Sequence, residues 1–271
     1  MMLRLAISPC PNDTFAFHAL LREARYRLAL DDVEALNRAA EEGAADITKI
    51  SVAAYGHLRE RYALLYSGGA AGFGVGPLVV ARKQREVGGR IAIPGDRTTA
   101  ALLLRLLGRF ETVAMRFDRI EAAVLAGDVD CGVLIHEGRF TYADRGMVKL
   151  ADLGEVWEGR MKSPLPLGAI AIRRNLGEEV ARRVDAEIRH SVQHALDHPE
   201  ESAAFVASHA QEMDPAVIRS HISLYVNDYT LDLDPRAVER LLEFGRSEGL
   251  FPPSDRPVFA YTTDMSSQDG V

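Results

Sequence analysis

Only two cysteines, Cys10 and Cys131, occur in 271 residues. They make no disulfide framework, and reduced thiols are the expectation. No segment is apolar for long enough to span a bilayer. The stretch Met1-Met2-Leu3-Arg4-Leu5-Ala6-Ile7 runs straight into Ser8-Pro9. It lacks the basic region, longer apolar stretch and small-residue cleavage site of a secretory signal. A cytoplasmic protein with no membrane partner is expected. Lysine and arginine number 32 against 39 acidic residues, giving a net charge of -7, and no long basic run exists. Nucleic acid and anionic membrane surfaces are therefore poor partners.

Familiar catalytic signatures are also missing. There is no Walker loop and no serine in a nucleophile-elbow pattern. Gly72-Phe73-Gly74-Val75-Gly76 lacks the third glycine spacing and the following helix of a dinucleotide loop. His136-Glu137-Gly138-Arg139-Phe140 begins like a zinc-protease helix, but phenylalanine stands where the second histidine belongs. His190, His194 and His198 recur every four residues without a carboxylate or cysteine partner, and His198 precedes Pro199. A solvated helix face is the expectation there, not a metal site. No metal and no cofactor are expected.

What is present is a chain 47% hydrophobic, enough for a full core. Short apolar runs at residues 3–7, 26–30, 77–81, 90–93, 112–117, 131–135 and 148–150 read as strands. Helical periodicity marks 52–64, 100–107, 120–126, 178–197, 201–210, 216–225 and 236–248, with a polar, frayed tail over 262–271. The fold class is α/β. Residues 77–81 read as a crossing into a second domain, and 169–172 as the crossing back. The expected division is a larger discontinuous domain of 1–82 plus 170–271, and a smaller one of 83–169.

The stretch Asp128-Val129-Asp130-Cys131-Gly132-Val133-Leu134-Ile135-His136 is central. A buried strand stops on a ring that titrates near neutral pH, at the end of the strand where α/β sheets bind ligands. Gly43-Ala44-Ala45-Asp46-Ile47-Thr48-Lys49-Ile50-Ser51 follows the same layout of helix exit, acid, strand and polar end. Two α/β domains of similar plan would thus turn polar groups toward one cleft. His136 is a candidate base or a structural hydrogen-bonder. Glu137 would orient it or pair with Arg139. Lys49, in an apolar strand, needs an opposite charge: Asp46, or a ligand carboxylate. Thr98 and Thr99, behind a Pro-Gly turn, cap a helix or hold an anion at its start. Ser8-Pro9-Cys10-Pro11-Asn12-Asp13 is a rigid loop, with Asp13 as a helix cap. Neither cysteine has a convincing histidine partner in sequence.

Six segments in order carry a resemblance. They are Ser8-Pro9-Cys10-Pro11-Asn12-Asp13-Thr14-Phe15, Thr48-Lys49-Ile50-Ser51, Gly74-Val75-Gly76-Pro77-Leu78-Val79-Val80, Thr98-Thr99-Ala100, His136-Glu137-Gly138-Arg139-Phe140-Thr141-Tyr142 and Pro164-Leu165-Pro166-Leu167-Gly168. The chain resembles the 1,4-dihydroxy-6-naphthoate synthases of the futalosine route to menaquinone. The resemblance implies a type II periplasmic-binding-protein-like fold with the ligand in a cleft between two α/β domains. It implies a cofactor-independent lyase that splits cyclic dehypoxanthinylfutalosine into 1,4-dihydroxy-6-naphthoate and a ribose-derived fragment. His136 matches the family's proton acceptor; Lys49, Ile50 and Ser51 match one substrate-binding stretch, and Thr98 with Thr99 the other. The partner is then a small-molecule carboxylate, and a homodimer is compatible with the sequence. Two other readings share the fold: the chorismate dehydratase of the same pathway, whose members lack the Ser-Pro-Cys-Pro opening, and a non-catalytic anion-binding protein.

Overall fold

The computed structural model describes residues 2–22, 24–210 and 214–263. From residue 264 on, the tail expected to fray lies outside them. Eleven strands are formed among the described residues: β1 Leu3–Ile7, β2 Tyr26–Leu30, β3 Ile47–Ser51, β4 Tyr62–Leu64, β5 Ala70–Gly72, β6 Leu78–Ala81, β7 Arg90–Ile93, β8 Glu111–Ala114, β9 Cys131–Leu134, β10 Val148–Asp152 and β11 Leu165–Arg173. The helices between them are α1 Pro11–Phe17, α2 Val33–Glu42, α3 Val52–Leu58, α4 Thr99–Leu104, α5 Phe117–Ala126, α6 Gly138–Thr141 and α7 Leu153–Met161. After β11 come α8 Glu178–Asp197, α9 Pro199–His209, α10 Pro215–Tyr225, α11 Asp228–Leu231 and α12 Pro235–Ser247.

Two sheets result. The first runs β2-β1-β3-β11-β4, with β5 also on β11; the second runs β10-β6-β9-β7-β8. In the first sheet β1, β2 and β3 are parallel, and β11 is antiparallel to β3, β4 and β5. In the second, β7, β8 and β9 are parallel and β6 is antiparallel. Inner strands are covered by helices on both faces, which is why they read as unbroken apolar runs. Ile7, Ile47, Ile50, Ile91 and Val133 are fully buried. The edge strand β2 alternates between half-buried and exposed positions instead.

Local chemistry sets many boundaries. Asp32 caps α2 by accepting from the Glu34 and Ala35 amides, and Gly43, at φ 73°, ends it in the left-handed region. Asp152 likewise caps α7 through the Gly154 amide at 2.9 Å. Two expectations fail. The helix foreseen over 52–64 stops at Leu58, because Tyr62, Ala63 and Leu64 are drawn into β4 beside β11 and fully buried. Helix α7 was not foreseen. Its sequence contains Gly154 and Gly159, which weaken the helical signal, and what holds it is the Asp152 cap and the burial of Trp157.

The chain changes sheet between β5 and β6 and again between β10 and β11. Residues 78–81, which precede the expected division at 82, therefore hydrogen-bond in the second sheet. Residues 165–169 hydrogen-bond in the first. At the first changeover Gly76 passes so close to Gly154 that a Cβ on Gly76 would lie 2.1 Å from the Gly154 nitrogen. Only two glycines allow that approach.

Candidate active site

A cavity open to solvent lies where carboxyl ends of β1, β3 and β9 meet the starts of α1, α3 and α4. All six residues singled out from the sequence line it: Lys49, Ile50 and Ser51, Thr98 and Thr99, and His136. Ser8, Asn12, Asp13, Leu167, His221 and Tyr225 join them.

His136 stands two residues beyond β9, on a left-handed backbone with φ 56°. That conformation is uncommon for a residue with a Cβ and costs on the order of 1–2 kcal/mol. Surrounding contacts hold it. The Arg139 amide donates to the His136 carbonyl at 3.3 Å, and the Phe140 amide to the Glu137 carbonyl at 2.8 Å. The Arg139 guanidinium donates to the Gly76 carbonyl and, at 3.0 Å, to Asp152. Arg139 thus locks the turn after His136 to the first sheet changeover. Its carboxylate partner at that distance is Asp152.

The His136 ring packs edge-on to Phe117, with centroids 4.9 Å apart. Burial lowers its pKa to about 4, the nearby Asp13 charge opposing this and Lys49 reinforcing it. The imidazole is consequently neutral at physiological pH. Cys10 Sγ lies 3.4 Å from Nδ1 and 3.7 Å from Nε2. Burial, with the Glu137 charge, pushes the Cys10 thiol well above its usual range, so it remains protonated. In the tautomer with Nδ1–H directed at the sulfur, Nε2 carries a free lone pair. The histidine partner that sequence reasoning did not find for Cys10 is thus His136 itself, 126 residues away.

Lys49 meets neither Asp46 nor an empty space. Its Nζ donates to Asp13 at 2.7 Å and to the Gly68 carbonyl at 2.9 Å, while Asp46 pairs with Arg4. Asp13 is not the helix cap expected of it. Cys10 holds the cap position, Pro11 opens α1, and the Asp13 side chain turns inward. There it accepts from the Ser8 hydroxyl at 2.6 Å and Asn12 Nδ2 at 3.0 Å as well as from Lys49. The Pro-Cys-Pro opening fixes the backbone so that these side chains converge.

Thr98 caps α4, accepting from the Ala101 amide at 3.1 Å and donating to the Gly95 carbonyl at 2.8 Å. Thr99 bridges three elements: its hydroxyl donates to the Leu167 carbonyl at 2.7 Å and accepts from the Ala53 amide at 3.2 Å. Both hydroxyls are spent internally and the Ala101 amide is taken by Thr98, so what α4 can offer a ligand is the Thr99 and Ala100 N–H groups. Ser51 differs. Its amide donates to Asn37 Oδ1 at 2.8 Å and its oxygen accepts from Asn37 Nδ2 at 3.1 Å, leaving its O–H proton to donate. Asn37, fully buried in α2, escaped the sequence reading, as did His221 on α10. A buried polar residue in an amphipathic helix carries no local mark of the group it faces.

The model of the family described as menaquinone biosynthesis matches residues 3–247. The chain belongs to that family. Among its relatives is the 1,4-dihydroxy-6-naphthoate synthase of Thermus thermophilus, 50% identical over 268 residues, which cover 95% of this chain and 98% of the relative. A crystal structure of an Archaeoglobus fulgidus protein superposes with a TM-score of 0.88 at 38% identity, covering 92% of this chain and 98% of that one. The periplasmic aliphatic sulphonate-binding protein of Escherichia coli superposes at 0.65 with 13% identity, over 93% and 89% of the two chains. The last likeness speaks for the fold alone, which is periplasmic-binding-protein-like, as the sequence motifs implied. Membership in that family places the chain among the enzymes of menaquinone biosynthesis.

Proposed function

We propose that this protein is a cofactor-independent carbon–carbon lyase, converting cyclic dehypoxanthinylfutalosine to 1,4-dihydroxy-6-naphthoate and a ribose-derived fragment, with His136 as general base. The observation that carries this is a neutral imidazole on a locked turn, lining a cavity together with Ser51 and the start of α4. Cleavage of this kind starts with removal of a proton, and a neutral imidazole with an open lone pair suits that task. Release of an aromatic product then drives the cleavage. Ser51 and the first-turn N–H groups of α4 are suited to a substrate carboxylate, and Ile50 forms apolar wall. Lys49 contributes by holding Asp13 rather than by reaching the carboxylate itself. Such a reaction on a small nucleoside-derived molecule fits a cytoplasmic setting with both thiols reduced.

Incubating the protein separately with the cyclic nucleoside and with chorismate, and following products by mass, tests the assignment. Naphthoate formed from the first and no change in the second is expected. Dehydration of chorismate would reverse the assignment.

The pH profile has a defined sign. Protonation removes the base, and the folded protein holds His136 neutral down to about pH 4. The acid limb of kcat/KM is therefore expected near 4, not near the ordinary histidine value of about 6.5. A midpoint at or above the ordinary value would show that burial does not govern the base.

The carboxylate contacts predict a second result. Losing a hydrogen bond to a charged group costs about 1.5–3 kcal/mol, so Ser51→Ala should weaken binding of 1,4-dihydroxy-6-naphthoate about tenfold or more. Thr99→Ala should act in the same direction by releasing Ala53 and Leu167, which shape that wall. Calorimetric titration of both variants measures this, and unchanged dissociation constants would remove this wall from the site.

A further inference from the structure

His221 lies on α10, is completely buried, and lines the cavity. Its ring is enclosed by Tyr225 and Phe140, and lies nearly parallel to His136 with centroids 6.1 Å apart. The protonation of its two nitrogens follows from a chain of fixed groups. Lys49 and the Ser8 hydroxyl donate to Asp13, so that carboxylate only accepts. Asn12 must then turn its NH2 to Asp13, at 3.0 Å, which leaves its oxygen facing His221. That oxygen is 2.9 Å from His221 Nε2, so Nε2 carries the proton and donates. Nδ1 is left with a lone pair.

No described group hydrogen-bonds to Nδ1. The Glu137 carboxylate lies 3.9 Å away, beyond hydrogen-bond reach. Burial and the neighbouring His136 keep this imidazole well below its usual pKa, so it does not gain a proton of its own near neutral pH. A buried acceptor without a donor is costly, on the order of 1–3 kcal/mol, and its side chain is among those that line the cavity.

We propose that His221 Nδ1 is a ligand contact, accepting a hydrogen bond from a hydroxyl group of the bound molecule, with Asn12, Asp13 and Lys49 fixing the tautomer that makes this possible. The class of ligand is hydroxyl-bearing, which in the proposed substrate is its ribose-derived portion; the choice of that ligand rests on the reading of function above. His136 projects from the turn after β9, and His221 from α10 packed on α1, so the hydroxylated part of the ligand would lie against two imidazoles supplied by separate parts of the fold. His221 discriminates for a donor at that point, because an apolar group there would leave Nδ1 unpaired.

Nitrogen-15 NMR of histidine-labelled protein tests this directly. In the free wild-type protein at neutral pH, His221 is expected as the Nε2–H tautomer with a bare Nδ1. In His136→Asn protein, which is expected to hold substrate with strongly reduced turnover, saturating cyclic dehypoxanthinylfutalosine should move the Nδ1 resonance upfield as it accepts a hydrogen bond. A His221→Phe variant keeps the ring volume and should raise KM for the cyclic nucleoside about tenfold or more, with affinity for 2-naphthoate, which has no hydroxyl, unchanged. An Nδ1–H tautomer, an unshifted resonance with ligand bound, or equal losses for both ligands in His221→Phe overturns the assignment. If His221→Phe does not fold, the resonance of the native side chain decides. Failure of the cyclic nucleoside to bind wild-type and His136→Asn proteins alike overturns the functional reading and this assignment together, whereas binding without a shift overturns this assignment alone.

Discussion

His136→Asn protein is expected to fold and bind substrate, yet to lose about 10²–10⁴-fold in turnover, the usual contribution of general-base catalysis. Asparagine approximates the size of imidazole and tolerates the left-handed backbone that His136 adopts at φ 56°. The locked turn, held by Arg139 to Gly76 and Asp152, should therefore survive. What disappears is the lone pair that accepts the proton. Steady-state kinetics beside a calorimetric dissociation constant separate the two effects. A folded variant with near-normal turnover would sink the assignment and turn attention to Glu137 and Asp13. The Cys10 thiol, protonated and 3.4 Å from Nδ1, should have a smaller role, since it orients the ring without exchanging a proton with substrate.

The second large effect is on stability. The Lys49–Asp13 pair is almost wholly buried, with side-chain exposures of 7% and 3%. Removing one member of such a pair costs roughly 3–5 kcal/mol, because the remaining charge is left without compensation. Asp13→Ala should therefore lower the unfolding free energy by that amount, read as a fall in the urea midpoint, since it strands the Lys49 ammonium and frees Ser8 and Asn12 together. An Asp13→Ala/Lys49→Met double variant should recover part of the loss, as no buried charge remains. If Asp13→Ala unfolds at the wild-type midpoint, water must reach Lys49 and the pair is not a dry one. Because Asp13 also orients Asn12, the single variant should weaken ligand binding as well.

The apolar run of β9 with His136 just beyond it, the Thr98 cap, and the placing of Ser51 at the end of β3 were all legible locally. Each rests on chemistry within a few residues: an apolar run, a capping side chain, a turn. The same signals misled at residues 59–64. There a helical period ran on past Leu58, and the pairing of Leu64 with Ala171, more than a hundred residues away, decided for a strand. The Asp13 carboxylate is a comparable case. Its position after two prolines suits a cap, but the buried ammonium of Lys49 outweighs a cap bond.

Composition, period and motif thus determined that the chain forms two sheets of α/β type and that one histidine ends a central strand. They also determined the family, because the motifs are local and ordered. Only the tertiary structure decided the partners of the charged and polar groups: Lys49 with Asp13, Arg139 with Asp152, Cys10 with His136, and His221 with Asn12. The physical reason is that such groups are satisfied wherever burial brings a donor to an acceptor, and sequence separation has no bearing on that distance.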